Sequence, residues 1–494
     1  MSMVAAGIGK LVDDGKLRWS TLLRDIMPDI YTCPIYWGYR ATIADILAHC
    51  CGLDGEVANL LADGGNSGIV PSLKALFKVS EHIPYPLRFR EEWHMCPWGY
   101  AIALHVIERI SEQPLHQYLQ EQLFGPLEMD STTLRPSFEG KGNIAEPHSS
   151  LSNGEAFPLK FRPNYADSLF EGSRAAYSTV NDLLKWTKAT LIASQTTGEC
   201  STTVLKQIPQ ILSNRIPMAS PSLLERSYGF GWARVQLPGV VGLLGGNSTL
   251  WEMSEQPVLG LGNQSRLMIY HQGGGPGYSS FIAIFPETQS AVVVLLNTTS
   301  MSDAADWIAR ALIESLFNFD NPTDYTKLAE EGKRRRLERF ARVHDTLAKE
   351  RVQGVPPVPL ECYIGKYFNE EYEYMLEVTL DPDSVSGLII SFQGLHSERY
   401  HLRHYHENVF EWSLSFDEAK KAGRYDVADP EYYKIRFELY PDNRASWIHW
   451  DIHAASVPRG LVFRWKDESL EEKWHEVHAG MSHTTPTLQS SLLT

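Results

Sequence analysis

Apolar residues recur at helical spacing through the first half of the chain. Ala5, Ile8, Leu11 and Val12 fall on one stripe that Asp13-Asp14-Gly15-Lys16 ends, predicting a helix already in progress at the first residues. Further helices are predicted over Ile43–His49, Tyr100–Ser111 and Leu115–Leu123. The stretch Ser178–Ala193 opens with Ser178-Thr179-Val180-Asn181-Asp182, which reads as a capped helix start with Ser178 as N-cap rather than as a catalytic serine. From Tyr228 the pattern shortens to β-branched and aromatic runs bounded by turn residues: Tyr228–Val235, Arg266–His271, Tyr278–Phe285 and Ala291–Asn297. The last three, joined by Gly273–Gly277 and by Pro286-Glu287-Thr288, predict an antiparallel meander. A helix over Asp303–Phe317 closes the unit, so the fold class is α+β, an antiparallel sheet flanked by helices.

A charged helix is predicted over Tyr325–Val352, and Pro356-Pro357-Val358-Pro359 marks a linker. Leu360 to Trp465 is rich in Tyr, Phe and Trp, with short strands at regular spacing, and predicts a small sandwich or barrel. The Ser/Thr-rich end, Met481–Thr494, reads as disordered. The expected organisation is a catalytic-type domain over 1–320, a helical linker over 321–357, a C-terminal β-barrel over 358–468 and a flexible tail over 469–494.

Charge narrows the partners. With 45 Lys and Arg against 60 Asp and Glu, the net charge is −15, which repels a phosphate backbone and argues against nucleic acid. The basic run Lys333-Arg334-Arg335-Arg336 lies among Glu330, Glu331 and Glu338, and reads as a solvated helix face. Six scattered cysteines without a C-x-x-C do not make a disulfide framework. No apolar stretch approaches the roughly 18–20 residues of a membrane span, and the first residues lack a basic leader. A cytoplasmic protein with no membrane partner and a small-molecule substrate or ligand is expected.

Most active-site signatures are absent: there is no G-x-S-x-G, no H-E-x-x-H and no Walker loop. The run Gly273–Gly277 lacks the dinucleotide register and reads as a strand connection. His401, His404 and His406 cluster in the C-terminal region, where His404 and His406 would share a strand face as metal ligands can; positions packed on a strand are the simpler reading. No metal and no cofactor are expected.

The order of several segments carries more. Leu11-Val12-Asp13-Asp14-Gly15-Lys16-Leu17 and Thr42-Ile43-Ala44-Asp45-Ile46-Leu47-Ala48-His49-Cys50-Cys51-Gly52-Leu53 resemble the opening of serine β-lactamase-related proteins, a family that includes class C β-lactamases, penicillin-binding-protein-like peptidases, esterases and fungal acyltransferases. Trp98-Gly99-Tyr100 through Gly125-Pro126-Leu127, Tyr177-Ser178-Thr179, Tyr228-Gly229-Phe230-Gly231-Trp232 and His271-Gln272-Gly273-Gly274 follow in the family's order. The resemblance covers about residues 1–320, and the aromatic region resembles the small barrel appended to many members. It implies acyl transfer through a serine ester, supported by a Ser-x-x-Lys pair, a Tyr-x-Asn motif and a His-x-Gly or Lys-Thr-Gly strand on the oxyanion side.

The sequence departs from that pattern at two of the three places. Counting back from Leu11-Val12 puts the family's lysine at or just before Met1 and its serine ahead of it, and no Ser-x-x-Lys occurs elsewhere. A shortened ancestral enzyme and a start placed too late are the two explanations, and the missing strands are expected to leave an unpaired sheet edge. The tyrosine position is Met95 and the asparagine position Pro97, neither able to do the same chemistry. His94 and Cys96 flank the lost tyrosine, as substitutes or as packing. His271 is the expected catalytic residue, with Gly273, Trp98 and Cys96 as substrate-binding residues. The implied function is hydrolysis or acyl transfer on an ester or amide of a metabolite. A non-catalytic ligand-binding or scaffold protein and a non-covalent acid–base catalyst in the same cleft are the alternatives.

Overall fold

A computed structural model of the chain describes residues 1–28, 39–53, 88–137, 143–160, 165–195 (apart from 167 and 169), 203–219, 222–369 (apart from 353 and 355), 374–382, 387–451 and 460–466. It divides into two compact units. The first holds residues Met1–Arg351 together with Ser413–Tyr433, and the second holds the barrel strands.

The principal helices of the first unit are α1 (Ser2–Asp13), α2 (Ile43–Leu47), α3 (Pro97–Ser111), α4 (Leu115–Leu119), α5 (Val180–Gln195), α6 (Ala304–Leu316) and α7 (Tyr325–Glu350). Its six-stranded sheet comprises β1 (Ile216–Pro217), β2 (Arg226–Tyr228), β3 (Ala233–Leu237), β4 (Arg266–Gly275), β5 (Tyr278–Phe285) and β6 (Ser290–Leu296), in the spatial order β6-β5-β4-β3-β2-β1 with antiparallel neighbours.

Helix α1 is buried on nearly every side, from Met3 to Gly9 and at Leu11, as a helix apolar all round should be. It packs on α3 and α4, with Tyr118 Oη donating to Gly7 O at 3.3 Å. Helix α2 carries a full capping box, Thr42 with Asp45, and Arg90 grips the same carboxylate through two 2.8 Å contacts. Helix α3 starts on Pro97, suited to a first turn that needs no N–H partner. Gly99 lets it lie against α2, because a Cβ there would sit 2.6 Å from Ile46 O.

Several expectations need correction. Thr179, not Ser178, caps α5: its Oγ1 accepts from Asp182 N at 3.2 Å, while Ser178 Oγ lies 2.8 Å from Thr132 Oγ1. The run Tyr228–Val235 is not one strand, because Gly231 at φ 75° turns the chain between β2 and β3. Gly273–Gly275 prolong β4 instead of forming the connection, which is left to Pro276-Gly277. The basic run is only partly solvated. Arg334 pairs with Glu331 and Glu338 on an exposed face, but the half-buried Arg336 reaches Asp426 at 3.5 Å.

A buried polar network ties α6 to the sheet. Asp306 and Arg310 pair at 2.9 Å with 0 and 1% exposure, and Arg310 also donates to Val241 O at 2.6 Å. Asn247 bridges Asp306 Oδ2 and the Asp303 backbone, and Ser302 donates to Asn247 Oδ1 at 2.9 Å.

In the second unit, eight strands close into an antiparallel barrel: β7 (Gly365–Asn369), β8 (Tyr374–Leu380), β9 (Leu388–Phe392), β10 (Arg399–His406), β11 (Val409–Glu411), β12 (Lys434–Leu439), β13 (Ala445–Trp450) and β14 (Leu461–Lys466). Pairing of Tyr367 with Trp465 helps close the ring and removes its open edges. Tyr367, Leu376, Ile390, Ile435, Phe437, Ile448 and Phe463 are buried, the aromatic content that marked this region in the sequence. A register shift between His404 and His406 interrupts β10 where the two histidines were expected to share a face. No group of three or more metal-ligating side chains is found among the described residues.

Removing one partner of a buried, hydrogen-bonded ion pair strands the other charge. Asp306→Ala is expected to destabilise the first unit by about 3–5 kcal/mol in urea unfolding. A loss below about 1 kcal/mol would show that Arg310 finds other partners.

Candidate active site

Strand β4 sets the site. Alternation puts Tyr270 and Gln272 on one face and Ile269 and His271 on the other. Gln272 accepts from Leu244 N at 3.2 Å, on the side of the Asn247–Asp306 network. His271 is half-buried, with Nε2 3.2 Å from Tyr228 Oη. Two residues on, Gly273 is exposed, and a Cβ there would come within 2.6 Å of Ser280 Oγ. The hairpin that brings Tyr228 to His271 is pressed on the start of α1, since a Cβ on Gly231 would sit 2.8 Å from Ser2 Cα.

Around this pair is a cluster the sequence reading did not assemble. The His49 ring lies 5.1 Å from Tyr228 and 5.3 Å from Tyr100, and Trp93 lies 5.7 Å from Tyr228. Tyr100 Oη donates to Leu47 O at 3.0 Å. His49 sits just past α2 at φ 56°, and its Nδ1 accepts from Cys96 N at 3.2 Å. Its signal was the motif His49-Cys50-Cys51-Gly52, quoted for resemblance but not weighed as chemistry.

Of the residues named from the sequence, His271 and Gly273 stand together on β4. Trp98 and Cys96 are each 1% exposed at the head of α3, and of the two Cys96 is bonded to His49 through its backbone N–H. Met95 is half-buried and Pro97 is the first residue of α3.

Burial disfavours the charged imidazolium at both histidines and lowers each pKa from 6.5 to about 3, with His271 adding to the effect at His49. At neutral pH both rings are therefore neutral. Burial pushes the Tyr228 and Tyr100 hydroxyls well up, so neither ionises near neutrality. Cys50 and Cys51 are likewise pushed up by burial and do not offer a ready thiolate. The arrangement supplies neutral hydrogen-bond donors and acceptors.

A groove of about 790 Å³ lies elsewhere, lined by Trp251, Glu255, Arg335, Arg339 and Arg342. None of the motif residues lines it, and Arg335 is already tied to Glu255 at 2.7 Å.

The beta-lactamase family model matches residues 2–315, well over half of the sequence. The chain belongs to the beta-lactamase family. Residues 349–471 match a domain of unknown function, DUF3471.

The chain is similar to an unguisins hydrolase of Aspergillus campestris, 24% identical over 401 residues, covering 76% of this chain and 66% of the hydrolase. It is similar to an unguisins hydrolase of Aspergillus violaceofuscus at 23% over 412 residues, covering 77% and 66%. The matches thus span 66% of these relatives' own length. Among solved structures, an octameric penicillin-binding protein homologue from Pyrococcus abyssi aligns with a TM-score of 0.49 at 17% identity, over 94% of this chain and 86% of that one. A class C beta lactamase from Rhodobacter sphaeroides aligns with a TM-score of 0.47 at 17% identity, over 64% and 83%. No helix among the described residues is long and apolar enough to cross a membrane.

The depressed histidines make stability depend on pH. Below about 6.5 the unfolded chain binds protons that the folded chain refuses until about 3, so each histidine makes stability fall as pH falls through that window. Asp303 opposes them. Burial raises it from 3.8 to about 6, so it takes a proton in the folded state first and adds stability as pH falls between those values. The diagnostic is therefore a difference. His49→Phe should remove up to about 1.4 kcal/mol of acid-side slope per pH unit relative to the unmodified protein, read from urea unfolding at pH 7 and pH 5. Identical slopes would mean that His49 protonates freely in the fold.

Proposed function

We propose that this protein hydrolyses an ester or amide of a small metabolite in the cleft beside His271. The observation that carries the reading is the Tyr228–His271 hydrogen bond midway along β4, two residues before the exposed Gly273. With Tyr228 donating to Nε2, the proton of the neutral ring sits on Nδ1, where it can polarise a carbonyl as charge builds on its oxygen. Gly273 leaves the backbone open to a close-lying substrate. The Cys96 backbone N–H holds the His49 ring through Nδ1. In this reading water adds to the polarised carbonyl carbon, the C–O or C–N bond to the leaving group breaks, and the proton given up by the water passes to the departing alcohol or amine. Unguisins, named as the substrates of two relatives, are the first metabolites to test.

A second reading rests on Met95 and Pro97, which replace the Tyr-x-Asn pair: the cleft would bind its ligand without turning it over. Acyl transfer to an acceptor other than water fits the same cleft and differs only in the product.

Purified protein should release product from unguisins or from nitrophenyl esters. His271→Ala should lower kcat/KM by about 10²–10³-fold, the usual cost of one carbonyl-polarising donor, with Tyr228→Phe losing less. A fluorophosphonate should leave no single serine stoichiometrically labelled in intact-mass spectra. Labelling of one serine would replace water attack with a covalent route. Melting shifts with these compounds but no turnover would make the binding reading correct.

A further inference from the structure

Two buried N–H groups beside His271 have no acceptor among the described residues: His49 Nε2 and Trp93 Nε1. For His49 the tautomer follows from geometry. Nδ1 accepts from Cys96 N at 3.2 Å, so in the neutral ring the hydrogen is on Nε2. The side chain is 2% exposed and therefore cannot use bulk water. A buried donor without an acceptor is disfavoured, and native folds keep few of them.

The two donors belong to one cluster. The His49 and Trp93 rings are 6.4 Å apart and meet edge to face at 83°. Tyr228 lies within 6 Å of both rings, 5.1 Å from His49 and 5.7 Å from Trp93, and it is the residue bonded to His271. Trp93 is half-buried on the irregular run before α3, forming the outer wall of the cluster. Among the described residues no oxygen accepts from either donor. Both donors are neutral groups, and a neutral carbonyl loses less on leaving water than an ionised carboxylate does.

We propose that His49 Nε2–H and Trp93 Nε1–H form a subsite for a neutral carbonyl oxygen of the substrate, with the rings of Tyr100 and Tyr228 packing on its apolar part. The subsite rests on the cleft beside His271 being the place where substrate binds, but not on turnover there. It makes His49 and Trp93 determinants of which acyl or amide group the cleft accepts.

The test uses N-acetyl-phenylalanine methylamide as probe, with the full chain labelled with ¹⁵N in histidine and tryptophan. The His49 Nε2–H signal, assigned by its loss in His49→Phe, should be present in the free protein and shift when the probe binds. His49→Phe and Trp93→Phe keep ring volume and remove the donors, so each should weaken probe binding by about tenfold, the cost of one good hydrogen bond. His49→Gln, which restores an N–H donor, should recover part of the loss. Should His49→Phe not fold, Trp93→Phe and the wild-type spectrum decide alone. Probe binding with the His49 signal unmoved, equal affinity in the phenylalanine variants, or no probe binding to the wild type would each overturn the subsite. An unmoved signal already in the range of a bonded N–H would assign the acceptor to a trapped water instead, which overturns it too. Weakened probe binding in the variants, together with a wild type that turns over nothing, would defeat the proposed hydrolysis and leave the subsite standing.

Discussion

The alternation of strand β4 is the constraint on which the first unit depends. A single strand must present Gln272 to one polar network and His271 to another, and a one-residue slip in register would exchange them. The antiparallel partners resist that slip from both sides, Tyr270 pairing with Ala233 in β3 and with Ala283 in β5. Behind the strand, the Asp306–Arg310 pair and Asn247 hold the loop from Val241 to Asn247 against α6. Such a network stabilises mainly by being complete, because each of its members would be costly to leave alone. The precision of His271 therefore depends on buried charge on the face away from it.

In front of the strand the cluster works by exclusion of charge. Desolvation keeps His49 and His271 neutral, so the groups of the cluster meet as hydrogen-bonding partners rather than as ion pairs. Neither Met95 nor Pro97 adds a charge or a titrating group beside the cluster. Pro97 instead serves the backbone, opening α3 at the position where a proline costs nothing.

The sheet, α6 and α7 were legible because their signals are local: β-branched and aromatic runs such as Tyr278–Phe285 bounded by turn residues, and helical runs after Asp303 and from Tyr325. The barrel showed itself as an aromatic region with short strands, though the closure of β7 on β14 depends on a pairing across nearly a hundred residues, which no local pattern encodes. The errors share one cause. Gly231, Gly273 and Ser178 each sit where tertiary contacts decide between a turn, a strand and a cap. Thr179 won the cap because Ser178 Oγ is bonded to Thr132, which in turn donates to Asp182 at 2.8 Å. Gly273 stayed extended because Ser280 across the sheet holds it in register.

His271 could be named from its motif, but the cluster around it could not, because His49, Trp93, Tyr100 and Tyr228 are far apart in sequence and meet only through packing. Two glycines make that meeting possible. Gly99 brings α3 down on Ile46, so that Tyr100 reaches Leu47 O and the His49 ring. Gly231 lets the β2–β3 hairpin close on α1, so that Tyr228 reaches His271. A methyl group on either would meet backbone within 3 Å and push α3 from α2 or the hairpin from α1. The site is thus determined by close backbone approach at its margins as much as by the polar groups at its centre.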